Sequence, residues 1–439
     1  MLLARSHAPA HTARMSRRKK PKIERALPAS LAAARQVQGV CDLLRPKPGQ
    51  VHGNTTLFDH DVFTALLCAF FDPMVRSQRT IGQLSEVPAV QEHLDVDQIA
   101  RSTLSDALAR FRTEALYEVL RVLKRQMPVW MHSDSNVENL LGKLVAIDAS
   151  YFNMAGDIAW ALRQRNVNGV LSRVRLDMQL DVQRWTAEKF AVHGAEMGSE
   201  AAAQKQMLEG GVIYLADRLY ASYNFIDSVL QAGAHFVTRA KKDLPYQVQE
   251  QRPLCEKDRE AEVQFDDLVL LGKGVPSQDK NKQKPPKQLL RLVTIWDPKN
   301  MQQVALLTDL LDVPAWVIGY LYRCRWIIEL FFRWLKVTAS MEHLLSHNAN
   351  GITVQFYVGM IAVMLMHIQT GLPVSKYSLV GMSFVARGQA RVEDVMPGIM
   401  RLEREKMLAK QRLARKKAAA AAQQTRALPT EKKLALLPG

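Results

Sequence analysis

The sequence predicts an α/β protein, a mixed-sheet core preceded by an all-helical segment, and two patterns carry that expectation. From Phe58 to about Val129 apolar residues recur at helical spacing, whereas after the polar patch 132–139 short aliphatic runs alternate with turns and helical stretches. Strands interleaved with helices indicate a mixed sheet. Hydrophobic residues make up 48% of the 439 and charged residues 23%, which excludes a wholly disordered, collagen-like or disulfide-scaffold chain. The length allows two or three domains with real cores.

Taken in order, residues 1–50 form a basic arm, partly disordered, with eleven Lys/Arg against two acids. Residues 51–135 are expected to form a helical domain, read here as DNA-binding, in which Arg101-Ser102-Thr103-Leu104-Ser105 is either a hydroxyl-capped helix start facing a DNA backbone or an ordinary capped bundle helix. Residues 140–375 form the α/β domain. Its strands are expected at Leu144–Ile147, Val174–Val182, Lys189–His193, Val212–Ala216 and Phe236–Arg239, with helices over Ala201–Glu209 and Ala221–Leu230. A β-rich insertion covers about 242–312, including a loop at Gln278–Lys287 and strands at Leu289–Trp296 and Gln303–Thr308. One long helix is expected over Pro314–Val337 and a buried one over Val354–Leu372. Residues 376–439 form a basic helical or disordered tail, in which 401–439 hold eleven Lys/Arg against three acids. The net charge of +16 therefore sits at the two ends, where basic runs suit a polyanion such as nucleic acid.

Cys41, Cys68, Cys255 and Cys324 show no metal-binding or disulfide spacing, which points to a reducing cytosol. The longest apolar run, Val358–Met366, is too short to span a bilayer. No signal-peptide core follows Met1, and Met15 is an alternative start.

Two carboxylates close predicted buried strands: Asp148 after Leu144-Val-Ala-Ile147, and Asp217 after Val212-Ile-Tyr-Leu-Ala216. Ligands gather at the carboxyl ends of strands in α/β sheets. On the predicted helix, at about 100° per residue from Tyr322, Arg325 falls near 300°, Glu329 near 340° and Lys336 near 320°, an arc of roughly 60°. The rest of that circumference is apolar, so this polar stripe faces something specific. A buried Arg325–Glu329 pair at i, i+4 is the competing structural explanation.

Tyr322-x2-Arg325-x3-Glu329-x6-Lys336 resembles the Y-R-E-K signature of the insertion-sequence-4 family of DDE transposases. Ile147-Asp148-Ala149-Ser150 is similar to that family's first-acid motif, and Asp217-Arg218-Leu219-Tyr220 to its second, with Leu219 where Gly is usual. Phe236-Val-Thr-Arg239-Ala-Lys241 resembles the strand that follows. The resemblance covers about residues 140–370. It implies a ribonuclease H-like mixed-sheet catalytic core with a β-rich insertion, and a site in which Asp148, Asp217 and Glu329 hold two Mg²⁺ ions, for which Mn²⁺ can substitute. It further implies DNA contacts by Tyr322, Arg325, Lys336, Arg218, Arg239 and Lys241, and a homodimer assembled on two element ends. Where family members that excise through a DNA hairpin carry a stacking aromatic, this chain has Val304, with Trp296 the nearest aromatic.

The expected function is thus DNA transposition by an insertion sequence, with phosphodiester cleavage at element ends and strand transfer into target DNA, in a cytoplasmic, nucleoid-associated protein. Two alternatives stay open: a non-catalytic DNA-binding protein derived from a transposase, and a metal-dependent nuclease without strand transfer.

Overall fold

The computed structural model describes residues 44, 57–72, 74–88, 91, 98–129, 142–154, 158–166, 169–196, 198–272, 284–386 and 389–427. The basic arm 1–50 apart from Leu44, the patch 132–139, most of the insertion loop and residues 428–439 lie outside them.

Among the described residues four helices come first: α1 (Asp59–Phe71), α2 (Gln78–Ser85), α3 (Arg101–Arg110) and α4 (Thr113–Lys124). Helix α4 shows why the periodicity was legible, since Leu116, Val119, Leu120 and Leu123 form its buried stripe. Helix α3 differs from expectation. Arg101 is its first residue, Ala100 stands at the cap, and no side chain caps its amides.

A single ten-stranded sheet follows, made of β1 (Lys143–Met154), β2 (Leu162–Asn166), β3 (Gly169–Asp181), β4 (Thr186–His193), β5 (Val212–Ala216), β6 (His235–Arg239), β7 (Tyr246–Gln251), β8 (Val263–Leu271), β9 (Leu290–Asp297) and β10 (Gln302–Thr308). Across the sheet the order is β2-β3-β1-β5-β6-β10-β9-β8-β7, with β4 also on β3. Strand β1 pairs antiparallel with β3 and parallel with β5, and β5 pairs parallel with β6. That mixed arrangement is consistent with a ribonuclease H-like DDE domain. The insertion does not fold apart: β10 joins β6, so its strands extend the same sheet.

Helices α5 (Glu200–Lys205), α6 (Tyr223–Gln231) and α7 (Glu256–Glu260) connect strands, and α8 (Ala315–Cys324), α9 (Trp326–Arg333), α10 (Ala349–Thr370), α11 (Lys376–Ala386) and α12 (Val392–Ala427) complete the chain. Two apolar cores lie on opposite faces of the sheet. Leu144, Ala146, Ile213 and Leu215 belong to one, while Val145, Ile147, Val212 and Tyr214 belong to the other, as the two-residue period of a strand requires. The first core also takes in α1, α8, α9 and α10. Helix α10 is long and apolar enough to cross a membrane, yet 83% of its most apolar stretch is buried inside the fold. Helix α11, expected in the basic tail, buries Met382 and Val385 in that same core.

Two elements depart from expectation near the candidate site. Strand β1 does not stop at Asp148 but runs six residues further, because its pairing with β3 continues to Met154↔Ser172 after β5 has left it. The single helix Pro314–Val337 is interrupted at Arg325 and ends in a π-turn, Trp334–Thr338, closed by the Ala339 amide donating to the Trp334 carbonyl at 3.0 Å. No Pro or Gly marks either break in the sequence.

Candidate functional site

The site begins where β1 and β5 part. Their parallel register pairs Val145 with Tyr214 and Ala146 with Leu215. Continued two residues, it sets Asp148 beside Asp217. Alternation places both on the face where Leu144, Ala146, Ile213 and Leu215 point, the face that α9 covers with Ile328 and Phe331.

Each strand-borne acid is fixed locally. The Ala149 amide donates to Asp148 Oδ1 at 2.9 Å. Asp217 caps a 3₁₀ turn, Arg218–Tyr220, accepting from the Leu219 amide at 2.7 Å, while its carbonyl accepts from Thr238 Oγ1 at 2.7 Å. The second motif's turn therefore forms with Leu219 in it, exposed to solvent. Burial pushes the Asp148 carboxyl up to about 6; the Ala149 amide and Arg325 oppose this, and the Asp217 and Glu200 anions add to it. Two neighbouring carboxylates resist ionising together.

Glu329, on α9, is held by Arg325, whose Nη2 donates to Glu329 Oε1 at 2.7 Å. The guanidinium also lies 5.6 Å from the Tyr322 ring centroid. Burial works to lower the Arg325 pKa, but the Glu329 bond, Tyr322 and Asp148 outweigh it and hold the group above its ordinary value. Tyr322, Arg325, Glu329 and Asp148 are thus one neighbourhood. Lys336 is not part of it. The π-turn carries its Nζ to 4.9 Å from the Phe152 ring centroid, where burial, with Arg173 nearby, lowers its pKa. The straight stripe of the sequence is split in two.

Of the remaining candidates, Arg218 and Lys241 are exposed and Arg239 is half-buried, its Nη2 3.5 Å from Gln302 Oε1. Val304 is buried on β10, and Trp296 is half-buried on β9.

The structure adds groups that sequence reasoning missed. Glu200, the first residue of α5, accepts from Tyr151 Oη at 3.1 Å, and burial raises its pKa, with Asp177 and Asp217 contributing. Tyr220 is fully buried with a hydroxyl that makes no hydrogen bond. Burial, then the Glu200, Asp148, Asp177 and Asp217 anions, raises its pKa well above the usual range. Tyr220 was visible in the second motif, but Glu200 followed only an ordinary serine cap, Ser199.

The donor chemistry fits a hard divalent cation: the Asp148 and Asp217 carboxylates lie side by side at one edge, and burial with the Asp217 anion makes the charged form of Asp148 costly without a cation. Among the described residues, however, no three His, Cys, Asp or Glu side chains gather closely enough to hold a metal ion, and the Arg325 bond holds Glu329.

Comparison with known proteins fits this geometry. The chain is 28% identical over 266 residues to "Putative transposase y4zB" of Sinorhizobium fredii strain NGR234, covering 60% of this chain and 70% of that protein. It is 24% identical over 163 residues to "Probable transposase for insertion sequence element IS5377" of Geobacillus stearothermophilus, covering 37% of this chain and 40% of that protein. The family described as "Transposase DDE domain" matches residues 141–365, from the start of β1 into α10 and across all three acids. The chain belongs to the transposase DDE domain family.

Proposed function

We propose that this chain is the transposase of an insertion sequence of the insertion-sequence-4 type, cutting phosphodiester bonds at the element's ends and joining the freed 3′-hydroxyl to target DNA. The observation that supports this reading best is the meeting of Asp148, Asp217 and the Arg325–Glu329 pair on one face of the sheet, where β1 parts from β5. Transposase DDE domains generally use divalent metal ions, and in this reading Asp148, Asp217 and Glu329 hold two Mg²⁺ ions. When bound, the ions lower the pKa of the attacking water or hydroxyl and stabilise the leaving oxygen.

The chain's own residues prepare that chemistry. Asp148 lies on β1 and Asp217 directly follows β5, its parallel neighbour, so the sheet sets where the two acids meet. Arg325 keeps Glu329 compensated in the absence of DNA. A DNA phosphate arriving at Arg325 competes for the guanidinium, since bidentate Arg geometry suits phosphate as well as carboxylate, and frees Glu329 to turn toward the two aspartates. Tyr322 supports the guanidinium from one side. Lys336 meets the backbone separately from the Phe152 side, and Arg218, Arg239 and Lys241 extend the basic surface beyond the ends of β5 and β6.

Transposases bind DNA, and a reaction on two element ends calls for a homodimer. The domain division we propose is an arm over 1–50, a helical DNA-binding domain over 51–135, the catalytic domain over 140–375 and a basic tail after it. A protein whose substrate is chromosomal DNA works in the cytoplasm at the nucleoid.

The test uses the full chain, Mg²⁺ and labelled duplexes ending in the inverted repeats that flank the coding frame. We expect cleavage at the element boundary and joined products, both lost in Asp217→Asn. Wild-type protein that binds these ends and never cuts them with Mg²⁺ or Mn²⁺ overturns the proposal. Cutting without joining replaces it with a nuclease.

A further inference from the structure

Away from the carboxylates, an open groove of about 720 Å³ runs between the first helices and the segment that follows the π-turn. One wall carries Arg79 on α2 and Arg101, Ser102 and Ser105 on α3; the other carries Leu344, Leu345 and His347. Positions 101, 102 and 105 share one side of the first turns of α3. The charge balance is one-sided, because among the described residues Asp106 is the one acid in the lining. Among the described residues neither Arg79 nor Arg101 has a carboxylate partner, and both side chains are exposed. Two guanidinium groups from different helices, neither with a carboxylate partner among the described residues, give the groove a positive lining that suits an anion.

The two walls are held in register. Gln78 Nε2 donates to the Leu345 carbonyl at 2.9 Å, and Trp160 Nε1, just before β2, donates to the His347 carbonyl at 2.9 Å. Gln355 on α10 then accepts from the Leu345 amide at 2.8 Å and donates to the His343 carbonyl at 2.9 Å. The second wall is therefore fastened to α2, to α10 and to the turn that leads into β2. Ala100 offers no side-chain cap to α3, so the helix's first amides leave the positive end of its dipole open toward the same space.

We infer that this groove is a seat for the sugar-phosphate backbone of duplex DNA, gripped by Arg79, Arg101, Ser102 and Ser105 without reading sequence. This deepens the DNA-acting function proposed above and rests on it for its partner. Guanidinium and hydroxyl contacts to phosphate position a duplex but carry no base information, so the seat serves element ends and other DNA alike.

The experiment compares full-length wild type with Arg79→Ala/Arg101→Ala, Arg79→Lys/Arg101→Lys and Asp106→Asn. Binding is measured to a duplex carrying the element end and to a scrambled duplex of equal length, over a salt series, with thermal melts alongside. The double alanine variant should bind both duplexes more weakly by about 10- to 100-fold, with the slope of log K against log salt reduced by about two, roughly one per lost phosphate contact. The lysine variant should regain most of the slope, and Asp106→Asn should bind both duplexes slightly tighter. An unchanged slope in a folded alanine variant overturns the inference. Loss confined to the element end also overturns it, because that is base reading. If wild type never cuts element ends but the alanine variant still loses salt-dependent binding, the catalytic proposal fails and the groove stands.

Discussion

Two arginine–carboxylate pairs in this molecule share a 2.7 Å bond and differ in burial and in how fully their hydrogen-bonding groups are satisfied. Arg291, on β9, is fully buried and grips Asp266 on β8 with two parallel bonds of 2.7 Å. Its remaining nitrogen donates to the carbonyls of Leu310, at 3.2 Å, Leu311, at 3.3 Å, and Val313. Arg325 makes one bond to Glu329, keeps a buried Nε with no partner, and faces a carboxylate side chain that is 30% exposed. The first pair is saturated and locks the insertion to the segment leading into α8. The second is under-satisfied and borders the Asp148–Asp217 edge. Saturation marks a pair that holds structure, whereas spare hydrogen-bonding capacity beside other charges marks one able to change partners.

The largest expected effect is on the saturated pair. Asp266→Ala leaves a buried guanidinium uncompensated and should cost about 3 to 5 kcal/mol of stability, read from urea unfolding. Replacing both partners by apolar residues, Arg291→Met with Asp266→Leu, should recover much of that loss. A cost below about 1 kcal/mol for Asp266→Ala would break the contrast at its strong end.

Next in size is Asp148. Its folded pKa of about 6 stands above the ordinary value of about 3.9, so between those limits the folded state holds more protons than the unfolded one. Stability contributed by the neutral form is complete below pH about 4 and is lost as pH rises to about 6, a decline of about 3 kcal/mol. Asp148→Asn should abolish the decline and melt higher than wild type at pH 7, at the expense of cleavage. Identical pH profiles for wild type and variant would remove Asp148 from the list of crowded charges.

How much of this was legible follows from what each signal depends on. Strand β5 matched its reading residue for residue because Gly210, Gly211 and Asp217 bracket a continuous apolar run. The far half of β1, Ala149–Met154, was missed because it is paired with β3 alone, and its polar and aromatic mixture looks like the exit of a strand. Strand β7 was missed because every side chain on it is exposed, leaving no hydrophobic period to find. The acids Asp148 and Asp217 stood out as charges ending apolar runs, and Glu329 as a polar stripe on an apolar helix. The split between Glu329 and Lys336 was not readable, since a π-turn changes the angular step without changing residue type. Glu200 was invisible for a different reason: its place beside Asp148 and Asp217 is decided by the connection from β4 to α5, not by any local pattern.

A smaller stability effect is expected at the unsaturated pair. Glu329→Gln keeps size, helix propensity and an oxygen that can accept from the Arg325 guanidinium, so the melt should move by only about 1 kcal/mol while Mg²⁺-dependent cleavage disappears and end binding persists. A loss of 3 to 5 kcal/mol, like that of Asp266→Ala, would show Arg325–Glu329 to be a structural pair of the same kind.

Lys336 should give the smallest change in the folded protein and the most informative one for DNA. Its ammonium rests on the Phe152 ring at 4.9 Å and has neither a hydrogen bond nor an ion pair among the described residues. Burial and Arg173 both lower its pKa, so the free protein gains little from the charge. Lys336→Ala should therefore shift unfolding by less than about 1 kcal/mol, the cation–π contact of a half-exposed site being worth about 0.5 to 1. If Lys336 meets a phosphate, the same variant should weaken DNA binding and reduce the salt slope by about one, equally for cut and uncut ends. Extra Mg²⁺ should not restore it, because the carboxylate neighbourhood is untouched. Lys336→Arg should keep the slope, since it keeps the charge. A Lys336→Ala protein with unchanged slope and unchanged cleavage would leave Arg325 and Tyr322 as the DNA-facing members of the Tyr322–Lys336 signature.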